Sequence, residues 1–250
     1  MQDRLEKEKA FHNDAFSRGI RRSLDAYYSI FITIRKDFRD SINGFVQGKR
    51  ILECGCGVNS YAYELAAAVD QIHGIDISDE AVRQSREQAE RGGLKNCRFD
   101  IMNAESLDFP DATFHMVFGV GIIHHLDLMV FYKEAARVLR SDGRMLFMEP
   151  LGYNPFINLY RTLTPRMRTP DEHPLLKKDL DLIRDYFGEV RVRYYHFFTL
   201  LAVPFRNTPL FKPVLRIFEA IDRFCFRFLP GFRYLAWYTI IEARDPQKAS

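Results

Sequence analysis

The chain is short of cysteine, has a single tryptophan and carries no block of like charge. Its 4 cysteines, Cys54, Cys56, Cys97 and Cys225, are too few and too unevenly placed for a disulfide scaffold, and such usage suits a reducing compartment. The formal charge of +3 is too weak a field to gather a polyanion, so nucleic acid is not an expected partner. No run approaches the roughly 18 apolar residues of a transmembrane helix. The amino terminus, MQDRLEKEKA, is charged where an export leader needs an apolar stretch. These absences point to a cytoplasmic protein without a membrane span. Spaced metal ligands are missing too: Asp171, Glu172 and His173 are neighbours that cannot all face one ion, so no dedicated metal is expected.

What is present is ordinary globular stock, 47% hydrophobic and 28% charged over 250 residues, enough for one α/β domain with insertions. Aromatics reach 14%, with 22 Phe and 12 Tyr. They are unevenly spread, and 14 of them fall between Tyr194 and Tyr238.

Residues 1–47 read as a helical cap, with Leu5, Phe11, Phe16, Ile20, Leu24, Tyr27 and Phe31 recurring among charges at helical steps. Arg50 to Glu53 then reads as a strand running into the turn Cys54-Gly55-Cys56-Gly57, with a helix expected over 61–69. Strands follow at 72–77, 97–101, 116–120 and 144–148, separated by helices at 80–91, capped by Ser78, and 127–139. This alternation predicts a parallel sheet with helices on both faces. Prolines 155, 165, 170 and 174 break the stretch 151–178, which suits a substrate loop. A helix at 179–187, a strand at 189–198 and a last strand at 237–243 complete the order, with a helical insertion over 199–233.

A glycine turn after a first parallel strand lets backbone approach a ligand closely. Asp76 ends the second strand, where an acid can accept hydrogen bonds from ribose hydroxyls. To this point a nucleoside-containing cofactor is indicated and NAD is still open. Glu53 beside the first glycine would repel a pyrophosphate, and Ser60 occupies the sixth position of the dinucleotide fingerprint. An acid there suits the sulfonium and ammonium of S-adenosylmethionine.

The segments Ile51-Leu52-Glu53-Cys54-Gly55-Cys56-Gly57, Gly74-Ile75-Asp76-Ile77-Ser78, Met102-Asn103-Ala104-Glu105, Gly121-Ile122-Ile123-His124-His125-Leu126 and Arg137 to Arg144 stand in an order that resembles the class I S-adenosylmethionine-dependent methyltransferases. They look most like the branch acting on small molecules. The resemblance covers about residues 48–150. It implies a Rossmann-like seven-stranded, mostly parallel sheet of order 3-2-1-4-5-7-6, within one domain over 1–250 whose cofactor-binding core is 48–150. It also implies that Glu53, Gly55, Cys56 and Gly57 lie at the methionine part of the cofactor. Asp76 would hold the ribose, Ile77 would pack on adenine, Asn103, Ala104 and Glu105 would lie by the adenine amino group, and Gly119 and Val120 by the sulfonium. Three positions depart from the family pattern. Asn59 replaces a third glycine and tolerates a left-handed backbone, Asn103 replaces an Asp, and His115 replaces a structural Asp.

Methyl transfer needs alignment, exclusion of water and, for many acceptors, a base. His124 and His125 follow the fourth strand, imidazole as a group titrates in the right range for a base, and Glu149 ends the fifth strand, so these are the candidate catalytic residues. Tyr153, Arg161, His173 and His12 are the candidates for acceptor contact. The expected activity is methylation of a small, partly apolar acceptor at oxygen, nitrogen, sulfur or carbon. The alternatives are a non-catalytic S-adenosylmethionine-binding or interaction module and, less well supported, an NAD-dependent dehydrogenase. The insertion, with Val214, Ile217, Phe218, Ile221, Phe224, Cys225 and Phe228 at helical spacing, fits an amphipathic helix that packs as core, lines an acceptor pocket, or rests on a membrane or a second subunit.

Overall fold

The computed structural model describes residues 6, 9, 10, 13, 25–164 and 173–247. Much of the first half of the expected amino-terminal helical cap, His12 included, and Pro165 to Glu172 of the substrate stretch therefore lie outside the described residues. Seven strands, β1 (Arg50–Cys54), β2 (Gln71–Asp76), β3 (Cys97–Ile101), β4 (Phe114–Val120), β5 (Leu139–Pro150), β6 (Phe187–Tyr195) and β7 (Tyr238–Pro246), form one sheet in the order 3-2-1-4-5-7-6. β1 to β5 pair in parallel, whereas β7 runs antiparallel to both β5 and β6.

Side chains alternate along each strand, so a strand buried on both faces feeds two cores. Ile51, Met116, Phe118, Leu146 and Ile240 enter one. Leu52, Val117, Phe147, Ile241 and Ala243 enter the other. Helices α1 (Asp25–Tyr28), α2 (Ile32–Asn43), α3 (Ala62–Leu65), α4 (Asp79–Arg91) and α8 (Phe211–Phe228) cover the first face, with α2 placing Ile34, Phe38 and Ile42 against it. Helices α5 (Leu128–Val138) and α7 (Lys177–Leu182) cover the second with Phe131, Tyr132, Ala135 and Leu180. The remaining helix, α6 (Pro155–Leu163), starts where Asn154 accepts from the Phe156 and Ile157 amides and Pro155 takes the first turn.

The expected helix at 61–69 shrinks to α3, because Ala66 to Val69 already turn toward β2. The fifth strand is longer than the expected 144–148, and the substrate stretch contains α6. Asn59 keeps a negative φ; the left-handed positions of the β1 turn are Gly55 and Gly57, at φ of 68° and 53°.

β6 ends and β7 begins on the edge of the sheet where β5 ends, since Tyr238 pairs with both Pro150 and Tyr195. The insertion between β6 and β7 thus leaves and returns on the carboxyl edge of the parallel strands. Phe31 ties the helical cap to that edge, stacking on His196 at 4.8 Å and meeting Trp237 at 5.1 Å. His196 is fully buried, and burial pushes it down to about 3, so the ring is neutral there.

Candidate functional site

The strand order reverses between β1 and β4, and open α/β sheets place ligands in the crevice at such a switch point. A crevice is found there, lined by Gly55, Ile75, Asp76, Ile77, Met102, Asn103, Ala104, Ile122, His125 and Leu126. A Cβ on Gly55 would lie 3.1 Å from the Ile122 side chain, so only glycine keeps backbone, turn and crevice wall in place.

Asp76 is oriented by two backbone donors. Gly57 N–H donates to Oδ2 at 2.9 Å, and Ser78 N–H to Oδ1 at 2.9 Å. Ser78 in turn caps α4, its Oγ accepting from the Ala81 amide at 3.1 Å. Asn13 reaches the same corner, where its carbonyl oxygen accepts from the Ser78 hydroxyl at 2.5 Å and its amide donates to Asp79 at 2.6 Å. No sequence signal marked Asn13, an amide in a charged segment.

Glu53 does not line the crevice. It is buried behind the glycine turn, where its carboxylate accepts from the Ser60 hydroxyl and, at 3.0 Å, from the Tyr61 amide. Ser60 Oγ also accepts from Ala62 N–H at 3.0 Å, so the pair pins loop 55–61. Burial raises the Glu53 carboxyl to about 7. Cys56 is buried beneath the same turn.

On the adenine side, Asn103 Oδ1 accepts from the Glu105 amide at 3.0 Å, and Glu105 Oε1 accepts from the Asp127 amide at 2.7 Å. Asp127 caps α5 through the Met129 and Val130 amides. Met102, Ile122 and Leu126 were not among the sequence candidates. They sit one or a few residues past strand ends already recognised, and that position was the available signal.

Gly119 is tightly enclosed: a Cβ there would stand 2.5 Å from the Cys54 carbonyl oxygen. Val120 follows at the end of β4, half-buried. Glu149, fully buried, accepts from the Ile122 amide at 2.9 Å and the Ile123 amide at 3.1 Å, and contacts His124 Nδ1 at 2.7 Å. A carboxylate can only accept, so this contact places a proton of His124 on Nδ1. The His124 and His125 rings meet at a 39° tilt with centroids 4.1 Å apart, and it is His125 that lines the crevice.

Of the acceptor candidates, His173 is exposed and donates its amide to the His124 carbonyl at 3.3 Å. Tyr153, exposed, stands just before α6, and Arg161, half-buried, lies in its last turn. His115 Nδ1 accepts weakly from the Arg50 amide at 3.4 Å, away from the crevice residues. Among the described residues no cluster of three His, Cys, Asp or Glu side chains suits a metal ion, and no helix is long and apolar enough to cross a membrane.

Ile77, Ile122 and Leu126 give this crevice apolar lining beside the Asp76 carboxylate and Gly55.

Residues 52–147 match the family described as a methyltransferase domain. The chain is 32% identical over 123 residues to the uncharacterized methyltransferase YcgJ of Bacillus subtilis, covering 48% of this chain and 49% of that protein. It is 32% identical over 119 residues to the aklanonic acid methyltransferase DauC of Streptomyces, covering 45% of this chain and 54% of that one. These matches span about half the length of the curated relatives. Among solved structures, Haemonchus contortus phosphoethanolamine N-methyltransferase 2, in complex with phosphomonomethylethanolamine and S-adenosylhomocysteine, superposes with a TM-score of 0.60 at 17% identity, covering 94% of this chain and 60% of that one. At that identity the likeness is one of fold. Strand order, switch-point crevice and family match agree, and the chain carries over residues 52–147 a domain of the class I S-adenosylmethionine-dependent methyltransferase family.

Proposed function

We propose that this chain, acting as one domain, transfers a methyl group from S-adenosylmethionine to a small, partly apolar acceptor. The observation that carries the reading is the crevice at the β1/β4 switch point, where a backbone-oriented Asp76 faces apolar walls. The cofactor, when bound, supplies a methyl carbon made electrophilic by its sulfonium.

In this reading Asp76 accepts from the ribose hydroxyls, and Ile77 packs on adenine with Asn103, Ala104 and Glu105 at its edge. Gly55, Cys56 and Gly57 offer backbone to the methionine part. Glu53 holds that turn in shape through Ser60 and adds negative charge when ionised. Gly119 and Val120 border the sulfonium. Glu149 holds His124 with Nε2 as its basic nitrogen, ready to take a proton from the acceptor, and His125 closes the wall between the two ligands. Tyr153, Arg161 and His173 flank the acceptor. The name of the aklanonic acid methyltransferase and the phosphomonomethylethanolamine bound in the Haemonchus contortus enzyme support a small acceptor. Oxygen, nitrogen, sulfur and carbon acceptors all suit this arrangement.

Calorimetry with S-adenosylmethionine and S-adenosylhomocysteine, followed by turnover on an acceptor panel, tests the proposal. Binding of both and no binding of NAD is the expected result; binding without turnover would favour a non-catalytic module. Asp76→Ala should weaken S-adenosylhomocysteine binding about 10- to 100-fold, the worth of a charged hydrogen-bond acceptor. His124→Ala should lower kcat by about 100-fold or more and leave cofactor affinity unchanged. His125→Ala, removing a crevice wall, should weaken cofactor binding. Equal cofactor loss in His124→Ala and Asp76→Ala would show that His124 belongs to the cofactor site and is not the base.

A further inference from the structure

We propose that the exposed face of α8, with the adjoining segment Phe198–Phe205, rests on the surface of an anionic lipid bilayer. Only Leu215 and Asp222 of this helix are buried, with Val214, Phe218, Cys225 and Phe226 half-buried beneath it. Ile217, Phe224 and Phe228 are 59%, 61% and 58% exposed. At about 100° per residue, Ile217, Ile221, Phe224 and Phe228 fall within roughly 60° of one another. Lys212, Arg216, Arg223 and Arg227 form a band starting roughly 60° further round, and all four are exposed.

The two acids of α8 do not balance that band. Asp222 is buried, accepting from the amides of Phe197, Phe198 and Thr199. Glu219 is half-buried and accepts from the Thr33 hydroxyl. The exposed half therefore pairs a hydrocarbon stripe with cations that, among the described residues, form no ion pair, along one axis. Leu201, Phe205 and Arg206 extend it, all exposed, on a segment packed against α8.

A lipid surface supplies both complements together, phosphates for the guanidinium groups and acyl chains for the stripe, and it does so along the whole helix. A second copy would bring charge of the same sign to the contact. The helix lies along the surface, because no helix among the described residues is apolar enough to span. The proposal is independent of the methyl-transfer reading.

Flotation with vesicles tests it. The chain should float with phosphatidylcholine vesicles containing phosphatidylglycerol, and much less with pure phosphatidylcholine or at high salt. Arg223→Gln with Arg227→Gln should lower the partition about tenfold or more, as should Phe224→Ser with Phe228→Ser. Both pairs should keep the wild-type circular dichroism and affinity for S-adenosylhomocysteine, since the altered side chains are exposed. Failure of the wild-type chain to float with anionic vesicles, or flotation unchanged in both variants, would overturn the proposal. A dimer seen by sedimentation that is lost in Phe224→Ser with Phe228→Ser, with no vesicle binding, would give the face to a second copy instead.

Discussion

Burial raises the Glu53 carboxyl from 4.5 to about 7, even though the hydrogen bonds from Ser60 and Tyr61 favour its charged form. The folded chain then holds a proton that the unfolded chain releases between about pH 4.5 and 7. Stability falls as pH rises through that window, and the cost, on the order of 3 kcal/mol, is complete above it. Urea unfolding should show a steeper loss from pH 5 to 7.5 in the wild-type chain than in Glu53→Gln, whose amide can still bond Ser60 and Tyr61. Parallel slopes would mean that Glu53 titrates normally. The positions of Asp76 and Glu149 at strand ends, and of His124 in the turn after β4, were legible in the sequence because the alternation of strands and helices locates those ends. Glu53 was legible only as an acid beside a glycine turn. Whether it points to a ligand or into the loop depends on a partner seven residues on, and Ser60 was read only as a missing glycine.

Among the elements, the insertion hangs on one side chain. Asp222 sits on α8 and gathers the amides of Phe197, Phe198 and Thr199, together with the Thr199 hydroxyl at 3.0 Å. Removing that acceptor leaves several donors buried or half-buried without it, at a cost of about 3 kcal/mol. Asp222→Ala should therefore speed amide hydrogen exchange across 198–205 while leaving β1 and β4 protected; uniform loss would mean that the whole domain had been weakened. Strand positions were legible to within a few residues, since alternation and turn chemistry are local. The length of α3 was not, because alanines favour a helix until the chain must turn into β2. In α8 the spacing revealed the helix but not its buried side. Sequence grouped Ile217 and Phe224 with Val214 and Phe218, and packing separates the two sets.

For the molecule as a whole, the alternation up to β5 predicts a parallel sheet, whereas the order of its strands and the antiparallel return of β7 rested on resemblance, no local signal being available for them. That return sets where the insertion lies, on the same rim as the switch-point crevice. With α8 resting on lipid as proposed, an acceptor dissolved in the bilayer would be met in two dimensions, and its effective concentration would be counted per area of lipid instead of per litre of buffer. Turnover on such an acceptor should then follow its mole fraction in the vesicles and stay level when vesicles and acceptor are diluted together, provided the enzyme remains bound. A rate that falls in proportion to the dilution, with the enzyme still on the vesicles, would show that the acceptor arrives through water.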